Sequence, residues 1–422
     1  MMRSPHPLEI ALGMHYYATF TPGIGGALRR SPEDFVVEEL SVPPENEGPY
    51  LLCRLTKKNW EMQRVVKEIA KSLHISPKRI SWAGTKDRRA VTTQMISIYG
   101  VDPEAIASVS LREIELAMVG RSRRGLSLGM LQGNRFRIRI RDCDPEDLEA
   151  RVHEMAASAK VGFPNYYGIQ RFGVIRPVTH IVGERLLQGD PRGAVMAYVG
   201  IAFKTEPDEA VSAREAFLRS EDTGQALREF PRTLSFERAI LQSLHNHPGD
   251  FLLAIQCLPP KLLSMFVSAF QSYLFNIALS ERWQDGLPLH EPRIGDLLIF
   301  GSGRVEKVTA GGLEDARMHC RRGRANPALY IPGAKESPLN EVIPPIVRQF
   351  LMEKGITESG FKLASEMVGA RFDGFYRPVT LCTKIASEVE DTNVLLEFVL
   401  QPGQYATTVC REFMKADPFV MV

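Results

Sequence analysis

The sequence contains few cysteines and none of the common cofactor-binding motifs. Its six cysteines are widely separated and form no CxxC pair, which argues against a zinc ribbon or a thioredoxin-type site. No Walker loop occurs, and Gly23, Gly25 and Gly26 do not fit the dinucleotide-binding fingerprint. His153-Glu154 lacks the second histidine of the metalloprotease motif. We therefore expect a protein that uses no metal and no cofactor.

Long apolar runs and a strong net charge are also missing. No segment approaches the 18 or more apolar residues of a membrane span, and Glu9 and His15 interrupt the N-terminal stretch that would form a signal core. The formal net charge is only +2 at pH 7, so an anionic partner must meet a local basic patch. These features predict a cytoplasmic protein with reduced thiols and no membrane partner. The sequence does not give the oligomeric state, for which a monomer is favoured.

Strand and helix patterns are mixed at both ends of the chain, whereas residues 176–285 are mostly helical. One predicted helix covers 62–73 with Asn59 as its N-cap, and another covers 145–158 with Asp144 as its cap. This order indicates one domain of strands and helices that is interrupted by a large inserted domain. The predicted strands that flank the insertion include 35–37, 50–55, 91–99, 134–141 and 394–400.

A basic patch lies between Leu116 and Arg141, where seven arginines occur without any acidic residue. In the strand 134–141, apolar residues and arginines alternate with a period of two, so the arginines share one face. Such a row suits the phosphate backbone of RNA or DNA. The alternative is a solvated outer face whose charge partners lie elsewhere in the fold. The candidate backbone contacts are Arg121, Arg123, Arg124, Arg137 and Arg139.

A single carboxylate, Asp87, is surrounded by Lys86, Arg88 and Arg89 in a loop that begins near Gly84. Loops held by rigid flanking elements often carry reactive groups. The neighbouring cations would keep the aspartate ionised, as a nucleophile requires. From this pattern alone, however, a surface ion pair is the stronger interpretation.

The stretch around Asp87 closely resembles the signature of the TruD family of tRNA pseudouridine synthases, and five blocks match it in order between residues 32 and 412. The inserted middle resembles the family loosely, apart from Ser268-Ala269 and Phe275-Asn276. One such block would be weak evidence for the resemblance, but five blocks in the same order are strong evidence. The blocks are Pro32-Glu33-Asp34-Phe35-x-Val37-x-Glu39, Ala83-Gly84-x-Lys86-Asp87, Gly133-Asn134-x-Phe136, Pro164-Asn165-Tyr166-x-Gly168-x-Gln170-Arg171-Phe172-Gly173, and Leu400-x-Pro402-Gly403-x-Tyr405-Ala406-Thr407 leading to Arg411-Glu412.

The resemblance implies an α+β fold. Residues 1–164 and 376–422 would form a pseudouridine synthase-like catalytic domain with a mixed, largely antiparallel sheet. Residues 165–375 would form a helix-rich inserted domain. The implied activity is isomerisation of a uridine in structured RNA, with transfer RNA as partner, since known relatives modify uridine 13 of transfer RNA.

The resemblance also implies roles for individual residues. Asp87 falls on the family's catalytic aspartate, and Phe136 falls on the aromatic residue that stacks on the target base. Asn134 falls on the site asparagine, and Lys86 lies beside the aspartate as a substrate-binding residue. Arg29 occupies the position where the family commonly has a lysine. Because guanidinium and ammonium differ in geometry and hydration, a pairing of Arg29 with Asp87 is a weaker expectation.

The reaction moves the glycosidic bond of uridine from N1 to C5, without redox change or net hydrolysis. The residues do not decide whether the aspartate attacks the sugar or the ring, nor which base removes the C5 proton. A non-catalytic RNA-binding protein that has kept the fold stays open as an alternative. A less favoured alternative is an aspartate-dependent hydrolase of small phosphorylated substrates, which would require a metal.

Overall fold

A computed structural model describes residues 1–284, 288–334 and 342–421. The chain forms two compact units, each built from two segments. The sheet unit contains Thr19–Phe163 and Cys382–Val422, and the helical unit contains Met1–Ala18 and Pro164–Leu381. Two short strands, Phe163–Pro164 and Thr380–Leu381, lie where the chain passes from one unit to the other.

The sheet unit is organised around a nine-stranded sheet. Phe35–Ser41 pairs in parallel with Val91–Tyr99, whereas the other described pairings in this sheet are antiparallel. The predicted mixed, largely antiparallel sheet is therefore confirmed. Gly25–Ala27 pairs with the 13-residue strand Leu131–Cys143, and Ile80–Trp82 pairs with Val91–Tyr99. The main strand order is Ala386–Glu390, Asn393–Leu400, Leu131–Cys143, Phe35–Ser41, Val91–Tyr99, Tyr50–Lys58, Ile114–Ser122.

The inner face of this sheet is apolar in one part and polar in another. Helix Met62–Ser72 packs on the apolar part, which is formed by Leu51, Cys53 and Leu55. These three residues occupy alternate positions of strand Tyr50–Lys58. The same side of that strand continues to Lys57, which is fully buried. Since successive side chains of a strand point to opposite faces, Lys57 lies on the core face. A charged residue therefore occupies an inward position next to a hydrophobic core.

The start of helix Met62–Ser72 differs from the prediction. Asn59 is not its N-cap, because it adopts φ 58° in the preceding turn. Glu61 caps the helix instead, since its carboxylate accepts a hydrogen bond of 2.9 Å from the Arg64 main-chain N–H. A carboxylate at this position also interacts favourably with the positive end of the helix dipole.

The second predicted cap was also wrong. Helix Leu148–Val161 begins after Asp147, which has φ 47° and makes no side-chain cap. The Asp144 carboxylate accepts hydrogen bonds from the Glu146 N–H and from Arg151 instead. The remaining helices of this unit are Pro103–Ile106 and Ala406–Met414, with short 3₁₀ turns at Pro32–Asp34, Pro77–Arg79 and Pro418–Met421.

The helical unit surrounds the 25-residue helix Pro260–Gln284, whose buried residues include Phe266, Phe270 and Phe275. Among the described helices this one is long and apolar enough to cross a membrane, but 67% of its most apolar window is buried within the protein, as in the core helix of a folded unit. The other described helices of the helical unit are Pro7–Ala11, Thr179–Leu187, Pro191–Gly200, Asp208–Ser220, Thr223–Glu229, Ser235–Asn246, Phe251–Gln256, Leu313–Arg321, Pro345–Glu353 and Glu358–Val368, with a 3₁₀ turn at Ile169–Arg171.

The helical unit also contains a four-stranded antiparallel sheet and a two-stranded one. In the two-stranded sheet, Met2–Arg3 pairs with Tyr16–Tyr17. The order of the larger sheet is Val305–Lys307, Leu297–Phe300, Ala325–Ile331, Phe375–Pro378.

The first 18 residues belong to the helical unit, whereas the sequence analysis placed them in the catalytic domain. The reason is hydrogen bonding between residues that are distant in the sequence. Asn276 Nδ2 donates to the Leu12 carbonyl at 2.9 Å, and Ser280 Oγ donates to the Gly13 carbonyl at 2.6 Å. Both side chains project from the long central helix of the unit. As limits of a catalytic and an inserted domain, the boundaries at 164/165 and 375/376 stay predictions.

Candidate active site

The loop that carries Asp87 lies over the polar part of the inner face of the sheet unit. Three hydrogen bonds fix the two ends of this loop. Gln94 Nε2 donates to the Gly84 carbonyl at 3.0 Å, and the Gly129 N–H donates to the Ala83 carbonyl at 2.8 Å. The Asn59 N–H donates to the Ala90 carbonyl at 3.1 Å. Strand Val91–Tyr99 and the segments next to two other strands therefore hold both ends of the loop.

The Asp87 carboxylate is half-exposed and is bound by a buried arginine. Its Oδ2 accepts a hydrogen bond of 3.1 Å from Arg29, and the exposed fractions of the two side chains are 52% and 7%. The Arg29 guanidinium also lies 4.0 Å from the centre of the Phe35 ring, in a cation–π contact. The structure thus brings Arg29 and Asp87 together. One carboxylate oxygen of Asp87 thus faces a cation, while the side chain stays half-exposed to solvent.

Lys86 points in the opposite direction from Asp87, into the protein. Its ammonium lies 2.6 Å from Glu39 Oε2, and the two side chains are only 7% and 0% exposed. Glu39 also accepts hydrogen bonds from the Met95 N–H and the Ser41 hydroxyl. The predicted substrate-binding residue Lys86 is therefore engaged in a buried ion pair that anchors the loop. Removing one partner of such a pair leaves an uncompensated buried charge, at a cost of about 3–5 kcal/mol.

Lys57 is a second buried cation beneath the loop, and sequence reasoning missed it. Its ammonium donates to the Asp87 main-chain carbonyl at 2.9 Å and to the Trp60 carbonyl at 2.8 Å. Burial lowers the pKa of Lys57 to about 8, against the opposing attraction of Asp87 and Glu61. A signal was present in the sequence, because Lys57 follows Leu51, Cys53 and Leu55 in the inward phase of its strand.

Phe136 is largely buried, with 7% of its surface exposed. Its ring stacks on Phe398, at 5.5 Å between centres, and meets the edge of Phe35 at 6.2 Å. Phe35 in turn carries the Arg29 guanidinium, so an aromatic cluster connects Phe136 with the cation that binds Asp87. The alternation that predicted Phe136 on the buried face of its strand is confirmed.

Asn134 lies on the same face of the strand as Phe136, two residues earlier, and opposite Glu39. Its Oδ1 is buried and accepts no hydrogen bond from the part of the chain that the structure describes. Buried amide oxygens normally have a partner. This side chain therefore retains hydrogen-bonding capacity close to the residue that anchors the loop.

Arg137 and Arg139 lie on the outer face of the sheet, away from Phe136. Arg137 pairs with Glu397 on the adjacent strand at 3.0 Å, and Arg139 pairs with Glu390 at 2.6 Å. Neighbouring positions continue this row of ion pairs, as Arg135 with Glu38 on the adjacent strand and Arg141 with Asp34 in the 3₁₀ turn before that strand. The outer-face row, defined by these four pairs, is therefore balanced by carboxylates that are distant in the sequence.

The other three candidate arginines lie near the end of strand Ile114–Ser122. Arg121 donates to the Gly48 carbonyl at 3.3 Å, and Arg123 pairs with Glu47. The side chain of Arg124 is exposed and makes no ion pair among the described residues. Arg88 and Arg89, which follow Asp87 directly, are likewise exposed and make no described ion pair.

Comparison with known proteins connects this arrangement to a family. Residues 11–413 match the family described as tRNA pseudouridine synthase D (TruD), which is nearly the whole chain. The chain belongs to the TruD family. It is therefore an isomerase of the tRNA pseudouridine synthase class, and the predicted resemblance is confirmed.

Individual relatives in the TruD family match over their full length. Proteins named probable tRNA pseudouridine synthase D from Methanococcoides burtonii and Halobacterium salinarum are each 38% identical to this chain, over 98% and 100% of both sequences. A Pyrococcus furiosus protein of the same name is 39% identical over 94% of this chain and 98% of its own length. A crystal structure of TruD from Methanosarcina mazei is similar with a TM-score of 0.81 and 36% identity, covering 98% of each chain.

Proposed function

We propose that this TruD-family enzyme converts uridine 13 of transfer RNA to pseudouridine, with Asp87 as its nucleophile. The observation that carries the proposal is the half-exposed Asp87 carboxylate, ion-paired to the buried Arg29 on a loop anchored to the sheet. Transfer RNA modification follows from family membership. The position of the target uridine and the role of Asp87 are the parts that the proposal adds.

Aspartate suits this chemistry because its ordinary pKa lies near 3.9, so the carboxylate is ionised at neutral pH. An ionised carboxylate can form a covalent bond to the nucleoside, which allows the base to detach and rotate. Arg29 binds one carboxylate oxygen, Oδ2, and the half-exposed side chain leaves space for a substrate. Protein dipoles and charges that are already in place need no reorganisation when charge moves in the transition state.

The target base must leave its stack before the carboxylate can reach it, at a cost of a few kcal/mol. In the proposal, the Phe136 ring receives the extruded base, since an aromatic face offsets about 1–3 kcal/mol per stacked base. The Asn134 amide, whose Oδ1 is buried without a described partner, hydrogen-bonds the edge of uracil. An amide provides both a donor and an acceptor, as uracil recognition requires.

Mapping of pseudouridine along transfer RNA tests this proposal. Unmodified transfer RNA is incubated with the purified protein, and modified positions are read by chemical labelling and sequencing. We expect pseudouridine at position 13, and none there in a matched transcript in which uridine 13 is replaced by cytidine. Modification confined to another position would overturn the proposed target. Absence of any modification, with RNA binding intact, would favour the non-catalytic RNA-binding alternative.

A further inference from the structure

The main chain of Asp87 is held by a charged group that lies outside the reacting site. The Lys57 ammonium donates to the Asp87 carbonyl at 2.9 Å and to the Trp60 carbonyl at 2.8 Å, and the residue is 0% exposed. It therefore cannot reach a substrate. It does connect the end of strand Tyr50–Lys58 to the residue that carries the reactive carboxylate.

Burying this ammonium costs free energy that a methionine of similar volume would not require. Among the residues that the structure describes, the two hydrogen-bond partners of Lys57 are main-chain carbonyls, and no direct ion pair offsets the cost. The attraction of Asp87 and Glu61 opposes the effect of burial, whereas Lys86 repels the ammonium. A charged residue in this environment is more easily explained by what it holds in place than by packing.

We propose that Lys57 is a positioning residue, whose buried ammonium fixes the main chain of Asp87 and so directs the carboxylate at the nucleoside. This proposal rests on the proposed role of Asp87. Arg29 then holds the side chain of Asp87 while Lys57 holds its carbonyl. Fixing both ends matters because a displacement of about 1 Å at a reacting group can reduce turnover about 100-fold.

The chain offers a matched control in Lys415, a second buried lysine of the sheet unit. Its ammonium also donates to main-chain carbonyls, those of Thr19 and Thr21, and burial also lowers its pKa. None of its described partners belongs to the Asp87 loop. Lys57→Met and Lys415→Met therefore remove the same kind of buried contact, and only the first removes it from Asp87.

The experiment compares kcat, KM and Tm for pseudouridine formation on transfer RNA by the full-length wild type and the two variants. We expect Lys57→Met to lower kcat ten-fold or more and to keep KM within about three-fold of the wild type. Lys415→Met should lower Tm by a similar amount but keep kcat within about two-fold of the wild type. A Lys57→Met enzyme with kcat within two-fold of wild type would overturn the proposal. So would an equal loss of kcat in both variants, which indicates general destabilisation.

If Lys57→Met does not fold, the dependence of the wild-type kcat on pH tests the role of Lys57 instead. The ammonium is charged below its pKa of about 8, so its charge-assisted bonds are present at lower pH and weaken as pH rises through 8. We expect kcat to fall as the pH rises through 8. Because the pKa of Lys57 is lowered in the folded protein, its contribution to stability rises between pH 8 and its ordinary pKa near 10.5, so unfolding would not account for the fall. A flat profile up to pH 9.5 would overturn the proposal. An active Asp87→Asn enzyme would instead refute the proposed nucleophile and leave the contact of Lys57 as a structural one.

Discussion

At the scale of single residues, the site places a charged group and an aromatic group within one connected cluster. Arg29 contacts both the Asp87 carboxylate and the Phe35 ring, and Phe35 contacts Phe136. Each of these contacts is formed within the sheet unit. The Asp87 carboxylate is therefore linked by direct contacts to the residue proposed to receive the base.

The first prediction separates stacking from packing at Phe136. Phe136→Leu and Phe398→Leu change two buried rings that stack on each other. A leucine roughly conserves volume, so each variant should lose about 1 kcal/mol of stability. Because only Phe136 is proposed to meet the base, Phe136→Leu should lower kcat/KM at least ten-fold more than Phe398→Leu. Steady-state kinetics and thermal unfolding provide the measurements, and equal kinetic losses would make Phe136 a core residue alone.

The residue types at the site could be predicted from the sequence, but their orientation could not. Asp87, Asn134 and Phe136 were found through the motifs. Lys86 was predicted to bind substrate, yet its ammonium is turned inward to Glu39. Adjacent residues of a loop can point in opposite directions, and no period in the sequence reports which of them is buried.

At the scale of elements, the sheet separates two kinds of charged residue. The inner face holds Glu39 and Lys57, which anchor the loop of Asp87. The outer-face row pairs each of its arginines with a carboxylate. The Asp34 carboxylate of the pair with Arg141 is buried, whereas the pairs of Arg135 and Arg137 are exposed on both sides. Such exposed ion pairs contribute roughly 0–1 kcal/mol each, so they add little stability. They do reduce the positive charge that the row presents to RNA.

The second prediction concerns which arginines meet the RNA backbone. The double variant Arg88→Gln/Arg89→Gln should weaken transfer RNA binding about ten-fold. It should also reduce the dependence of affinity on salt, since each lost phosphate contact lowers the slope of log affinity against log salt concentration by about 0.7–0.9. Arg137→Gln/Arg139→Gln should leave affinity within about two-fold, because those side chains already pair with Glu397 and Glu390. Binding titrations at several salt concentrations distinguish the two. A larger loss in the Arg137/Arg139 variant would show that the outer-face row binds RNA.

Sequence patterns predicted five strands of the main sheet, and strand Val91–Tyr99 was predicted with its observed bounds. They did not predict Ile114–Ser122 or Ala386–Glu390. They also did not predict the partners of the arginines. Glu38, Glu390 and Glu397 reach them through strand pairings, some of which join segments more than 250 residues apart. Such neighbours are set by the topology of the sheet, which local periodicity does not contain.

At the scale of the whole molecule, the chain forms two compact units, and the second segment of the sheet unit begins at Cys382. The placement of the first 18 residues in the helical unit was not predicted. It depends on hydrogen bonds from Asn276 and Ser280, more than 260 residues away in the sequence. Long-range polar contacts of this kind leave no local pattern.

The third prediction concerns the acid stability of the helical unit. His180 packs between Phe172 and Tyr273, and burial lowers its pKa to about 4. The unfolded chain therefore binds a proton more readily than the folded one, so stability is complete above pH 6.5 and falls as pH drops from 6.5 towards 4. The loss is at most about 3 kcal/mol, and smaller to the extent that the ring is solvated.

Thermal unfolding between pH 7 and pH 4.5 checks this prediction. The Tm of His180→Phe should fall less steeply with decreasing pH than that of the wild type. His245→Gln removes an imidazole from an exposed position and should follow the wild type. Parallel curves for His180→Phe and wild type would contradict the assignment.

The central claim is that the ionised carboxylate of Asp87 attacks the nucleoside, and single-turnover formation of pseudouridine by Asp87→Asn tests it most directly. This variant keeps the size of the side chain and removes its charge. Asp142→Asn is a matched control, because Asp142 forms an exposed ion pair with Arg30 at 3.2 Å in the same unit. The account predicts no detectable product with Asp87→Asn, transfer RNA affinity within a few-fold of wild type, and normal turnover with Asp142→Asn. Near-normal product formation by Asp87→Asn would contradict it.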